Sequence, residues 1–292
     1  VFKEHAKEWS AIWVNVCSLA NIDYLKVAKE YGIEKRIIHS HNSQNMDNWL
    51  RGLLHKWNKR QIGKIATDFW ACSEDAAKWF YSGETLKKAV VIHNAIDVER
   101  MRFDEEKRKA IRTKYGWKDK YIIGNVGRLH FQKNQSFALD IFVEYLKKNK
   151  NVLLVLVGQG EDERMLKEKV DKLGIADRVF FAGLQSDIQA WLSCFDLFLF
   201  PSKFEGLSIV ALEAQANGLT TISSKKVIPA EVKMNDNFYF MDLEAGAEAW
   251  SKQIEEISGY ERAEYSEVKK RFAEKGYDID TETGKLETLL MG

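Results

Sequence analysis

PSKFEGLSIVALEAQANG, residues 201–218, follows the apolar run DLFLF at 196–200. That run is short, apolar and broken by Pro201, so it reads as a buried strand. A loop comes next, and then a helix starting near Gly206. Glu205 falls in the loop. Glu213, eight positions on, lies two turns down the helix, about 12 Å along its axis at ~1.5 Å per residue. A helix N-terminus presents unpaired N–H groups and partial positive charge, which suits an anionic ligand. Strand, loop and helix together predict an anion site at a strand end, flanked by two carboxylates able to accept from hydroxyl groups.

The same grammar runs through the rest of the chain. Apolar strand-like runs alternate with helical patterns, which predicts an α/β architecture with parallel sheets. In the first part, residues 11–17, 36–41, 67–72 and 89–94 read as strands, with helices over 22–31 and 45–65. In the second part, YIIGNVG, VLLVLVG, RVFFAG, DLFLF and LTTISS read as core strands, and NFYFMD (237–242) offers a sixth. The charged stretch 97–120, with its helix-forming DEEKRKAIRTKYG, reads as the connector between two domains.

Composition excludes several classes. The 292 residues are 45% hydrophobic and 30% charged, an ordinary globular balance with room for one large or two medium domains. A net charge of +1 gives no bulk electrostatic reason to bind nucleic acid. Cys17, Cys72 and Cys194 are scattered and lack C-x-x-C spacing, which predicts neither a disulfide framework nor a zinc site and points to a reducing cytoplasm. With no zinc-ligand spacing in the sequence, no metal is expected. No apolar run approaches the ~18 residues that span a bilayer. The opening VFKEHAKEW lacks Met and is not a signal peptide, so the chain is expected to begin inside something larger.

The E-x7-E spacing, with G-L-S after the first Glu and A-N-G closing the helix, resembles the retaining glycosyltransferases of family 4, the glycosyl transferases group 1, which have the GT-B fold. GNVGRLHFQKN (124–134), VLLVLVGQGEDE (152–163), RVFFAGLQSDI (178–188) and VIHNAID (91–97) fit the same family in the same order. The resemblance covers most of the chain from about Ala71 onward and is nearest to bacterial enzymes of capsule or exopolysaccharide synthesis. It implies two Rossmann-like domains with parallel sheets facing across a cleft: an acceptor domain over 1–97, short of its opening βα units, and a donor domain over 98–276. It also implies that the C-terminal segment 277–292 packs back on the first domain.

Site residues follow from the motifs. Arg128 and Lys133 lie in a loop at the carboxyl end of a strand, where open α/β sheets bind ligands. Alone they read as surface cations; within G-R-L-x-x-x-K-N they read as exposed groups that neutralise a departing nucleoside diphosphate. The resemblance gives Glu205 to the donor sugar and Glu213 to the ribose. A Glu on a helix otherwise flanked by Val210, Ala211, Leu212 and Ala214 needs a partner in any case. The N–H groups of Gly206, Leu207 and Ser208 are placed to cradle phosphate, and Gly183 and Leu184 to meet the nucleobase through their backbone. His41, ending the strand RIIHSH, is preferred to His39 as the histidine that the family sets beside the reacting sugar; His39 is expected on the opposite face. Its bland alternative is a capping or core histidine. The donor is expected to be a UDP-sugar bound without metal. The acceptor is expected to be a glycan or lipid-linked saccharide, by front-face attack that the departing phosphate assists. Two rivals are a sugar-nucleotide epimerase of the same fold, for which no acid/base pair is found, and a donor-binding remnant without transfer activity.

Residues 46–65 set Trp49, Leu50, Leu53, Leu54 and Trp57 beside Arg51, Lys56, Lys59, Arg60 and Lys64. Two readings stand side by side: a helix lying on an anionic membrane surface, and a core-facing apolar stripe with a solvated basic back.

Overall fold

The computed structural model describes residues 1–42, 49–205, 207–225, 229–259 and 261–291. The chain forms two compact units, Val1–Asn94 with Glu282–Gly292, and Ala95–Thr281.

The first unit is built on four parallel strands in the order β1 (Ala11–Val16), β2 (Lys35–Ser40), β3 (Asp68–Ala71), β4 (Val90–Val91). The run expected over 89–94 contributes only two strand residues. Helices α1 (Asp23–Glu30), α2 (Trp49–Gln61) and α3 (Glu74–Phe80) connect the strands. Residues 45–48 of the helix expected over 45–65 lie outside the described residues, and its end tightens into a 3-10 turn, Ile62–Lys64. Leu25, Ile38, Phe69, Phe80 and Tyr81 share one core. The buried Tyr81 hydroxyl meets the Ile38 and Trp70 carbonyls at 2.9 and 2.6 Å, binding α3's exit to two strands at once. On the other face, Leu286 and Leu289 of the C-terminal helix Ile279–Met291 pack with Ile37, Trp70 and Ile92. Lys35 donates to the Leu289 and Leu290 carbonyls at 2.6 and 2.9 Å, closing that helix's last turn.

The second unit holds six parallel strands: β5 (Tyr121–Val126), β6 (Val152–Val157), β7 (Val179–Gly183), β8 (Leu197–Phe200), β9 (Thr221–Ser224) and β10 (Phe238–Met241). NFYFMD therefore does supply the sixth strand. β6, VLLVLV, is buried at every position, as a strand covered on both faces must be. Its side chains divide by the pleat: Leu153, Val155 and Val157 enter one core and Val152, Leu154 and Leu156 the other. Spatial order is β10-β9-β8-β5-β6-β7. The chain steps outward from β5 through β6 to β7, then returns to β5's other side and steps outward again through β8, β9 and β10. The reversal between β5 and β8 is a topological switch point, where the carboxyl strand ends leave a ligand crevice.

The charged stretch 97–120 is no free connector. Its helix α4 (Glu105–Tyr115) packs within the second unit against a helix over Ile188–Cys194. Arg108 and Arg112 both pair with Asp196, and together they donate to the carbonyls of Ser193, Cys194 and Phe195 that end that helix. The charges that make the segment look solvated are spent on a helix C-terminus whose carbonyls have no intrahelical partner.

Candidate functional site

At the switch point two loops are sewn together. The loop after β5 carries Arg128 and Lys133, and the loop after β8 carries Glu205. Asn134, in the left-handed conformation at φ 57°, donates to the Pro201 carbonyl at 3.0 Å. Gln132 donates from its side chain to the Phe204 carbonyl at 2.9 Å and accepts the Lys203 N–H at its own carbonyl at 2.8 Å. Beneath them the buried Asn125 of β5 donates to the Leu199 carbonyl of β8 at 2.8 Å. These bonds tie the loops after β5 and β8 to each other.

A third loop, after β6, closes against the first. The Gly127 and Leu129 N–H groups donate to the Val157 and Gln159 carbonyls at 2.9 and 3.0 Å. This contact explains G-x-G at 158–160. A Cβ on Gly158, which sits at φ 134°, would stand 2.1 Å from the Gly127 carbonyl oxygen, and one on Gly160 would stand 2.2 Å from that of Leu129. Any side chain there would force the loops apart.

Arg128 and Lys133 then part company. Arg128 is exposed, 66% by side chain, and pairs with Glu161 of the third loop, Nε to Oε2 at 3.1 Å. Backbone hydrogen bonding first, and Arg128 second, hold the Glu161 carboxyl below its usual range. Lys133 is drawn inward, with only 18% of its side chain exposed. It donates to Glu205 Oε1 at 2.8 Å, and its ammonium lies 5.0 Å from the Phe200 ring centre. The Glu205 side chain is 7% exposed. The expectation that both cations are exposed holds for Arg128 and fails for Lys133. The structure also joins Lys133 and Glu205 directly, although the sequence reading gave them separate duties.

The helix after Glu205 starts later than its sequence suggests. It runs over Ile209–Ala216 (α5) with Ser208 as N-cap, not from Gly206. Serine favours the extended cap position over the helix interior, and Ser208 takes it at φ −83°, ψ 100°. Glu213 is therefore about one turn into the helix, and the axial spacing of ~12 Å from Glu205 does not apply, since the helix begins at Ile209. Gly206 lies outside the described residues. Leu207 is half-buried and Ser208 buried. The Ser208 and Ser202 hydroxyls are buried without hydrogen-bond partners among the described residues, and such groups ordinarily have one. Glu213 is half-buried, and desolvation pushes its carboxyl up while the Arg100 charge pulls it down. Its carboxylate makes no hydrogen bond to a described residue. Gly183 ends β7 at φ 66° with its carbonyl taken by the Gly158 N–H at 2.8 Å, and Leu184 beside it is exposed.

In the first unit, His41 follows the last residue of β2. Its Nε2 lies 2.9 Å from Asn15 Oδ1 on β1. His39 is not on the opposite face: the two rings lie 4.2 Å apart, centre to centre. Strand side chains alternate, so residues two apart share a side, and the expectation misapplied that period. His39 is 4% exposed and sits against Trp13 and Trp70, and its ring nitrogens meet no hydrogen-bond partner at full bonding geometry among the described residues. Burial, and then the neighbouring His41, lower its pKa to about 4 against a smaller opposing pull from the Ile92 backbone. Burial lowers His41 as well.

Sequence reasoning missed Glu161, Arg100 and Asn15. Each meets its partner only through the fold, and Glu161 stands 33 residues from Arg128. Among the described residues no cluster of three or more His, Cys, Asp or Glu could hold a metal ion, and no helix is long and apolar enough to cross a membrane.

Comparison with known proteins supplies the family. Residues 107–278 match the profile of the glycosyl transferases group 1. EpsF of Bacillus subtilis, named as a glycosyltransferase, is 30% identical over 268 residues, 89% of this chain and 69% of EpsF. The lipopolysaccharide core biosynthesis mannosyltransferase LpsB of Rhizobium meliloti is 30% identical over 144 residues, 48% of this chain and 41% of LpsB. Among solved structures, HepE of Anabaena in complex with UDP superimposes with a TM-score of 0.79 at 18% identity, over 99% of this chain and 80% of that one. That likeness is one of fold, two parallel α/β sheets of the GT-B kind. The matched profile spans the three loops at the switch point, and the chain belongs to the glycosyl transferases group 1 and is a glycosyltransferase.

Proposed function

We propose that the chain transfers a sugar, with retention, from a UDP-sugar to a glycan or lipid-linked saccharide in the cytoplasmic stage of surface polysaccharide synthesis. The observation that carries this reading is the Lys133–Glu205 pair, fixed where the loops after β5 and β8 are clasped. An ammonium has three N–H donors. Glu205 takes one at 2.8 Å, which leaves donors for a diphosphate oxygen while the carboxylate's free lone pairs face a sugar hydroxyl. Arg128 supplies a second, solvent-facing cation. The N–H groups of Leu207 and Ser208 cradle phosphate. Glu213, desolvated and without a hydrogen-bond partner among the described residues, takes the ribose hydroxyls. Gly183 and Leu184 meet the base. His41, kept neutral by burial, orients the reacting sugar.

The charge of the leaving diphosphate is met by Arg128, Lys133 and backbone N–H groups, so transfer proceeds without a divalent ion. The departing phosphate assists removal of the acceptor proton on the same face, which retains the anomeric configuration. Relatives named for lipopolysaccharide core and Vi polysaccharide biosynthesis, and a structural neighbour in complex with UDP-glucose, support the substrate class.

Two variants compared by calorimetry with UDP and with UDP-glucose test the assignment. Glu213→Ala weakens UDP itself, by roughly 1.5–3 kcal/mol for a lost charge-assisted hydrogen bond. Glu205→Gln spares UDP and weakens the intact donor. Equal damage to UDP from both would show the two carboxylates misassigned.

A further inference from the structure

The helix α2 is turned inside out relative to an ordinary surface helix. Trp49, Leu50, Leu53, Leu54 and Trp57 are 70, 55, 53, 50 and 65% exposed. The residues it buries are His55 and Asn58. His55 Nδ1 accepts the Leu19 N–H at 3.1 Å, Asn58 donates to the Leu19 carbonyl at 2.6 Å, and the His55 ring stacks on Trp79 at 4.5 Å. Lys59 adds bonds to the Lys78 and Trp79 carbonyls. Polar groups thus anchor the helix, and the apolar stripe is not core. At about 100° per residue the five apolar side chains fill one arc of about 140°, centred opposite His55.

We propose that this outward face of α2 docks on an anionic lipid bilayer. Charge selects the occupant. From Trp49 to Lys64 the sequence carries five cations and no Asp or Glu. Lys56, Arg60 and Lys64 are exposed, and none forms an ion pair with a described residue. Around the helix, Lys56 and Arg60 fall at the edge of the apolar arc. This is the arrangement of an interfacial helix, whose apolar side chains enter the acyl boundary while flanking cations meet lipid phosphates. Two tryptophans at the stripe carry an apolar ring and one N–H donor each, which suits the boundary between acyl chains and headgroups. A second copy of the chain is disfavoured on the same ground, because a two-fold contact through this stripe would bring two basic, acid-free helices together. The inference does not rest on the donor-site assignments, since α2 belongs to the other unit.

The test is flotation of the full chain with phosphatidylcholine vesicles and with vesicles containing phosphatidylglycerol, at low and at high salt, with tryptophan emission as a second readout. The chain is expected to float with the phosphatidylglycerol vesicles, to release as salt screens the attraction, and to shift its emission to the blue. Lys56→Ala and Arg60→Ala should each weaken partition about fivefold, the effect of one cation at an anionic surface. Leu53→Ser with Leu54→Ser should abolish flotation while leaving the circular dichroism melt in place, because both side chains are exposed. No flotation at low salt, or equal partition into both vesicle types, overturns the proposal. So does a dimer in sedimentation that Leu53→Ser dissolves in the absence of lipid, which would assign the face to a second copy.

Discussion

At the carboxyl ends of β5 and β8, the cation drawn inward meets a carboxylate: Lys133 reaches Glu205 at 2.8 Å, and the loops carrying them exchange three further hydrogen bonds. At the carboxyl end of β2, His39 is buried between Trp13, Trp70 and the His41 ring, with no hydrogen-bond partner at full geometry among the described residues. One region keeps charge by pairing it. The other keeps an imidazole by keeping it neutral. The two strategies respond differently to pH and to substitution, and those responses can break the comparison or sharpen it.

The largest expected effect belongs to His39. Its folded pKa of about 4 lies below the ordinary value of 6.5, so the unfolded chain takes up a proton that the folded chain refuses. Stability is intact above pH 6.5 and falls as the pH drops from there toward 4, by about 3 kcal/mol in all at ~1.4 kcal/mol per unit. His39→Phe keeps an aromatic ring among Trp13 and Trp70 and removes the titration. Urea denaturation from pH 7 to pH 4 should show an acid-side slope in the parent that is shallower in the variant. An unchanged slope would mean that the acid sensitivity lies in other groups.

Lys133→Ala comes next. It leaves Glu205, 7% exposed, without its cation. Removing one member of a buried pair costs about 3–5 kcal/mol, and partial exposure of Lys133 brings the expectation to about 2–3 kcal/mol at neutral pH. Lys133→Ala combined with Glu205→Gln should recover much of that loss, because the stranded charge is gone. Additive losses in the double variant would show that the two side chains are held independently and that the pair is incidental to the loop structure.

How much of this could be read from sequence depends on the distance over which each feature is determined. The strands of the second sheet were legible because fully buried strands are short apolar runs, and β6 is one without a break. The positions of Arg128, Lys133 and Glu205 were legible because each follows such a run by a few residues. Their pairing was not: Lys133 and Glu205 are 72 residues apart, and only the β8-β5 adjacency brings them together. The start of α5 is written in the sequence as a serine cap, and the helix begins three residues after the expected start at Gly206. The shared side of His39 and His41 was written in the alternation of the strand. The outward stripe of α2 was not, because an amphipathic pattern shows that a helix has two faces without showing which one turns inward. Here two polar residues, His55 and Asn58, find partners on Leu19 and decide it. The segment 97–120 misled for a related reason: arginines that cap another helix's carbonyls look, in sequence, like arginines in water.

The smallest expected effect on stability is that of Arg128→Ala, and it is the control for Lys133→Ala. Arg128 and Glu161 are joined as Lys133 and Glu205 are, but at 66% and 56% exposure instead of 18% and 7%. Water and salt already screen the exposed pair, and such pairs contribute little or nothing measurable to folding. Arg128→Ala should therefore leave the melting midpoint where it was. The same variant should still weaken UDP by roughly 1.5–3 kcal/mol, because a diphosphate that displaces water and Glu161 from the guanidinium forms a charge-assisted hydrogen bond that alanine cannot. Glu161→Gln removes the competing carboxylate, so it should leave UDP binding intact or strengthen it. If Arg128→Ala destabilised the chain as much as Lys133→Ala, burial would not be what distinguishes the two pairs. If it left UDP affinity untouched, the exposed cation would be one more solvated arginine, and Lys133 alone would face the diphosphate.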